Sequence, residues 1–181
     1  MTTDQTEGGE RDIVPAELLD SVLGQSFSRA DTPEMVAFRE FFAEQSARHF
    51  SADEFMVLGP SHHVPGGACE GKNALAPSSL WNNVVPLIAA MDAIRDELGE
   101  PVRITNCYRS SDYNSCVGGV SNSYHKTFKA ADWVCGTGTS ADWAAAAARV
   151  RDRGAFTGGI GIYETFVHVD VRGQSIDWDN R

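Results

Sequence analysis

The chain has 181 residues and a mass of 19.6 kDa, with 42% hydrophobic and 22% charged residues. That length suits one domain with a sizeable core, and the apolar content is too high for a disordered chain. Lysine and arginine number 15 against 25 acidic residues, for a net charge of −10 and a pI near 4.8. This balance argues against phosphate backbones and anionic lipid surfaces as partners, and no apolar run reaches the roughly 18 residues that span a bilayer.

The opening MTTDQTEGGERD is acidic and polar and lacks the pattern of a secretory signal. Residues 1–30 read as a loosely ordered acidic arm, and residues 31–181 as the folded domain. Thr32 can cap a helix running to about His49, with Pro33 in its first turn and Met35, Phe38, Phe41 and Phe42 as its apolar face. The Gly-, Pro- and His-rich stretch from Val57 to Ser79 reads as a long loop, in which His62 and His63 are adequately explained as polar surface residues. Apolar residues at helical spacing from Val84 to Leu98 predict a second helix from about Asn83, stopped by Gly99.

Alternation in PVRITNCY predicts a strand, followed by a short helix over Ser111–Cys116 and a Gly-rich loop to Ser123. Residues Ala130–Cys135 read as a strand, and Ser140 as the cap of an alanine-rich helix ending near Gly154. GIGIY and FVHVDV, separated by Glu164 and Thr165, form a terminal hairpin. The order of elements predicts a single α+β domain with a mainly antiparallel sheet flanked by helices.

The four cysteines, at 69, 107, 116 and 135, include no C-x-x-C pair, which argues against a cysteine-built zinc knuckle. They permit two disulfides in three pairings, and Cys107 and Cys116 are close enough in sequence to staple one loop. With no signal pattern, free buried thiols are the expectation.

The densest chemistry lies in SYHKTFKAADW, residues 123–133. A loop-to-strand turn can aim His125 and Asp132 at one point, and His168 on the hairpin offers a third donor. Two imidazoles and a carboxylate suit zinc and leave a fourth tetrahedral position for water, the pattern of a catalytic site. Asp132, between Ala131 and Trp133, needs a partner in any case, because an unpaired buried charge is costly; Arg103 is one option. There is no H-E-x-x-H, G-x-S-x-G or Walker-type loop.

The segments VRITNCYRSSDYNSCVGGVSNSYHKTFKAADW and GGIGIYETFVHVDVRG resemble the zinc peptidases of the M15 family, over about residues 80–173. The F-S-x-x-E-F segment at 50–55 suits one branch of that family. Ser123, His125, Ala130 and Asp132 match its S-x-H-x-x-G-x-A-x-D signature, with Phe128 standing where glycine is usual. The resemblance implies a hedgehog-type, D-alanyl-D-alanine-peptidase-like fold and one zinc ion per chain held by His125, Asp132 and His168.

By the same resemblance, Tyr108-Arg109-Ser110 places Arg109 toward the substrate, to bind its carboxylate or stabilise an oxyanion. Ser123 is a loop-shaping hydroxyl or a substrate contact. The general base is Glu164 or Asp170: the family's acid lies three residues before the last His ligand, where this chain has Thr165. Asp170 can alternatively orient His168. The implied substrates are peptidoglycan stem peptides or related D-amino-acid peptides, hydrolysed by a D-alanyl-D-alanine carboxypeptidase or a cross-link endopeptidase acting as a monomer. Without a signal pattern, the expected location is the cytoplasm, or the cell wall after a non-standard, lysin-like release. The alternative reading is a zinc-bearing, catalytically silent binding module.

Overall fold

The computed structural model describes residues 31–181, so the predicted arm over 1–30 lies outside the described residues. The first helix, α1 (Pro33–Ala43), is capped by the Thr32 side chain, which accepts from the Met35 amide. It buries Met35, Phe38 and Phe42. It ends well before His49, and Ser46, three residues on, takes the left-handed conformation at φ 56°. The buried carboxylate of Asp92 accepts the amides of Arg48 at 2.8 Å and His49 at 3.1 Å. Those amides therefore cannot serve a continuing helix.

A single-turn helix, α2 (Ala52–Phe55), begins in a capping box between Ser51 and Glu54 and packs on the first strand. After the long loop comes α3 (Trp81–Leu98), terminated by Gly99 in the left-handed conformation at φ 66°. The strand β1 (Val102–Asn106) and the short helix α4 (Ser111–Cys116) follow. Then come β2 (Ala130–Cys135) and α5 (Ser140–Asp152). The cap of α5 is Thr139 rather than Ser140, since Thr139 and Asp142 bond reciprocally.

Strands β3 (Gly159–Ile162) and β4 (Val167–Asp170) form the predicted hairpin. A strand with no sequence expectation, β5 (Ile176–Asp179), completes a five-stranded sheet in the order β1-β2-β4-β3-β5. The β1–β2, β2–β4 and β4–β3 pairs are antiparallel, and β3–β5 is parallel. The fold is α+β, as expected, with a mixed sheet.

Side chains alternate across a strand. On β4, Val167 and Val169 enter the core with Ile160, Ala131 and Trp133, and α3 and α5 pack there. His168 and Asp170 take the opposite face. Opposite His168 sit Asp132 on β2 and Gly161 on β3; Trp178 of β5 lies next to Gly161, and Asn106 of β1 next to Asp132. One cross-strand row thus carries Asn106, Asp132, His168, Gly161 and Trp178.

The cysteines depart from the free-thiol expectation. Cys69 of the long loop is disulfide-bonded to Cys116 at the end of α4, with a Cα separation of 5.8 Å, and Cys107 and Cys135 are buried free thiols. Cys107, the nearer sequence partner of Cys116, is wholly buried at the end of β1. Asn73 fastens the same loop. Its side-chain amide donates to the carbonyls of Leu58 and Tyr108, each at 2.9 Å, and its oxygen accepts from Ser110 N at 2.8 Å. His62 belongs to this framework, its Nδ1 accepting from Asn73 N.

Phe128, at the usual glycine position of the signature, has φ 59° and ψ 38° and is completely buried. Its ring lies 6.0 Å from Phe38 and 6.2 Å from Tyr108, so packing offsets a left-handed backbone. This reverses the usual Gly/Ala order. Phe128→Ala is expected to destabilise by about 3–5 kcal/mol. Phe128→Gly should cost roughly 1 kcal/mol less, since glycine escapes the left-handed penalty. Urea unfolding of both variants checks the ranking; an alanine variant more stable than the glycine one would refute it.

Candidate metal centre

Local structure delivers each donor. Ser123 is buried and caps a 3-10 turn over Tyr124–Thr127, its hydroxyl accepting from His125 N at 3.3 Å. That turn, closed by Phe128 N–H to the His125 carbonyl at 3.1 Å, presents His125 just before β2 begins. Asp132 and His168 face each other directly across the β2–β4 ladder. All three side chains are buried, with His125 and His168 at 0% exposure and Asp132 at 3%.

Three atoms converge. His125 Nε2 lies 3.1 Å from Asp132 Oδ1 and 3.1 Å from His168 Nδ1, and His168 Nδ1 lies 2.9 Å from Asp132 Oδ1. The outward nitrogens fix the tautomers. His125 Nδ1 lies 2.6 Å from the Cys107 carbonyl, which only accepts, so this nitrogen carries the proton. His168 Nε2 lies 3.2 Å from Asp170 Oδ2, again an acceptor, and carries its proton there. For neutral rings, the inward atoms are then two bare nitrogen lone pairs and a carboxylate oxygen.

Three lone-pair donors about 3 Å apart repel one another unless a cation lies between them. A tetrahedral zinc ion with bonds of about 2.0–2.2 Å separates its donors by about 3.3–3.6 Å, a few tenths of an ångström wider than the spacings here. The donor set therefore fits zinc, and His125, Asp132 and His168 are the only group of this kind among the described residues. The Cys107 thiol takes no part. Burial, with the nearby Asp132 charge, pushes its pKa well up and keeps it neutral.

Electrostatics around the trio are consistent with a cation. Burial pushes the Asp132 carboxyl up, but its neighbours, the Arg109 guanidinium among them, outweigh that and hold it well below the usual range, ionised and able to serve as a ligand. Arg109 is buried at 0% exposure, and its Nη2 donates to Asp132 Oδ2. The partner of Asp132 is thus Arg109. Arg103 sits opposite Val134 on β1, where its nearest charge influence is Glu54.

Asp170 is buried as well and fully engaged. Oδ1 accepts from Gly159 N at 3.1 Å, Arg172 N at 3.0 Å and Arg172 Nε at 2.9 Å, while Oδ2 takes His168 Nε2 and Arg172 Nη2. Burial would raise its carboxyl, but His168 and Arg172 hold it well below its ordinary range. Glu164 is exposed in the β3–β4 turn and makes no hydrogen bond or ion pair with the site among the described residues. The structure therefore gathers His125, Asp132, His168, Arg109, Ser123 and Asp170, and leaves Glu164 on the rim. Sequence reasoning passed over Asn73, Arg172 and Trp178; only Arg172, two residues beyond Asp170 in VDVR, carried a local signal.

The fold and site define a protein with three buried protein donors on a mixed sheet, the ligand count of catalytic zinc. A family model described as Peptidase M15 matches residues 49–170, more than half of the chain, and the chain belongs to that family. No curated protein matches it.

Metal binding has a direct thermodynamic signature. Free zinc at 100 times its dissociation constant should stabilise the wild type by about 2.7 kcal/mol. His125→Ala and His168→Ala should lose that gain. Thermal unfolding with and without zinc, beside metal analysis after desalting, provides the check; equal midpoints for wild type in both conditions would contradict the site.

Proposed function

We propose that the protein is a zinc metallopeptidase that hydrolyses peptide bonds in peptidoglycan-type peptides, as a D-alanyl-D-alanine carboxypeptidase or a cross-link endopeptidase. The observation that carries this reading is the convergence of the bare donors of His125, Asp132 and His168. When bound there, zinc supplies a Lewis acid that polarises a carbonyl and brings a coordinated water to a pKa of about 7.

The chain's own residues do the rest. Cys107 O and Asp170 hold the two imidazoles in the tautomers that leave their inner nitrogens free. Arg109 occupies Asp132 Oδ2 and leaves Oδ1 for the metal, and its charge beside the centre favours an oxyanion on the substrate carbonyl. Asp170, with both oxygens already accepting, is an orienting carboxylate rather than the base. Glu164 takes the base role, receiving a proton from the attacking water and passing it to the leaving amine; its turn lies at the end of the strand that bears His168.

The Cys69–Cys116 disulfide supports action in an oxidising setting, outside a reducing cytosol, where a cell-wall substrate is met. A second reading is favoured by one observation, the exposed position of Glu164. A zinc-bearing binding module with no effective base would keep the same ligands and cleave nothing.

Turnover decides between the two. Cleavage of synthetic muropeptides ending in D-Ala-D-Ala, or of cross-linked muropeptides, should stop with a chelator and return with zinc. Glu164→Gln should lower kcat by about 10²–10⁴-fold, the usual contribution of a general base. Full activity in that variant would remove Glu164 from the mechanism. Zinc binding with no turnover by the wild type would favour the module.

A further inference from the structure

The family match ends at Asp170, yet the chain continues through Arg172 into β5, and this last segment returns to the site. Beside His168 in the cross-strand row lies Gly161, and beyond it Trp178. A Cβ on Gly161 would collide with the Trp178 indole, and one on Gly159 would lie 2.9 Å from the same ring and 2.7 Å from Asp170 Oδ2. The two glycines clear a path across β3. Through it the indole, 7% exposed, reaches the ligand histidine, with ring centroids 5.2 Å apart.

The same indole donates from Nε1 to the Tyr163 hydroxyl at 3.2 Å. Tyr163 stacks on Phe166 at 4.2 Å, so Trp178 also braces the turn that carries Glu164. Arg172 completes the arrangement. Its guanidinium holds Asp170, the partner of His168 Nε2, and lies 4.5 Å over the Tyr124 ring and 5.3 Å over Trp178. Tyr124 adjoins the ligand His125, so the stack joins both histidine-bearing segments.

We propose that the segment from Arg172 through β5 is a positioning element of the metal centre: Trp178, lying across Gly161 on the His168 ring, and Arg172, clamping Asp170, together fix the orientation in which His168 offers Nδ1 to the ion. The role rests on the zinc reading above, and neither residue touches substrate in it. Arg172 acts through Asp170, while Trp178 limits rotation of the imidazole by contact. Partners of this kind are worth about 10–100-fold in metal affinity elsewhere.

The test is zinc affinity, by competition with a chromophoric chelator, for wild type, Trp178→Ala, Trp178→Phe, Arg172→Ala and Arg172→Lys. Unfolding of each metal-free protein and the visible spectrum of each cobalt-substituted form are recorded alongside. Trp178→Ala and Arg172→Ala should each bind zinc about 10-fold more weakly with an altered cobalt spectrum. Trp178→Phe, which keeps a ring over His168, should recover most of the affinity. Should the alanine variants fail to fold, Trp178→Phe and Arg172→Lys carry the decision: a changed cobalt spectrum in folded Arg172→Lys, whose ammonium cannot reproduce the fork on Asp170, supports the assignment. A wild type that binds zinc tightly, with affinity and spectrum unchanged in the folded variants, would overturn the role of this C-terminal segment alone. A wild type that binds none would overturn the zinc reading with it.

Discussion

Three electron-rich atoms forced together inside a protein make an unstable arrangement unless something positive joins them, and this fold is built around that constraint. His125 Nε2, His168 Nδ1 and Asp132 Oδ1 stand within 3.1 Å of one another. The rings cannot relieve the crowding by turning their N–H groups inward, because the Cys107 carbonyl and Asp170 already accept those protons. Nor can the carboxylate swing away freely, since Arg109 holds its other oxygen. Burial makes this tension large, because water cannot screen it. A cation that relieved it would meet a site already formed by the fold, with much of the ordering entropy already spent in folding.

Rigidity comes from where the donors are mounted. Asp132 and His168 sit on paired central strands, whose cross-strand distance is set by the hydrogen-bond ladder. His125 sits on a tight turn capped at one end by Ser123 and closed at the other by Phe128. Arg109 lies in the β1–α4 connection, and that connection is fastened to the long loop by Asn73 and by the Cys69–Cys116 disulfide. Each donor thus rests on an element with its own reason to stay put. The inner side chains inherit that order.

The parts of this picture that were legible in the sequence share a local cause. Apolar spacing revealed α3, an alanine-rich run α5, alternation revealed β1 and the β3–β4 hairpin, and the types and spacing of His125, Asp132 and His168 pointed to a metal. What stayed hidden depends on residues distant in sequence. The chain beyond α1 is held by Asp92, more than 40 positions away. The partner of Asp132 is Arg109, reached through a turn, while Arg103 looked as suitable from its strand. Four cysteines do not encode their own pairing. In β5 the pattern IDWD is short and polar, and its one buried residue, Trp178, sits in the space left by the glycines of β3.

The two carboxylates considered as bases, Glu164 and Asp170, are separated by their surroundings. Asp170 sits where five donors meet, and a proton placed on it would break hydrogen bonds with Arg172, Gly159 and His168. Its low affinity for protons suits a group that must stay charged to hold an imidazole N–H. Glu164 has no such partners and stands in water at the end of the hairpin. Its position is only as defined as the turn beneath it. That turn rests on the Tyr163–Phe166 stack and, through the Tyr163 hydroxyl, on Trp178. On the proposed reading, the step from binding to cleavage depends on the rim, where the exposed Glu164 meets a braced turn.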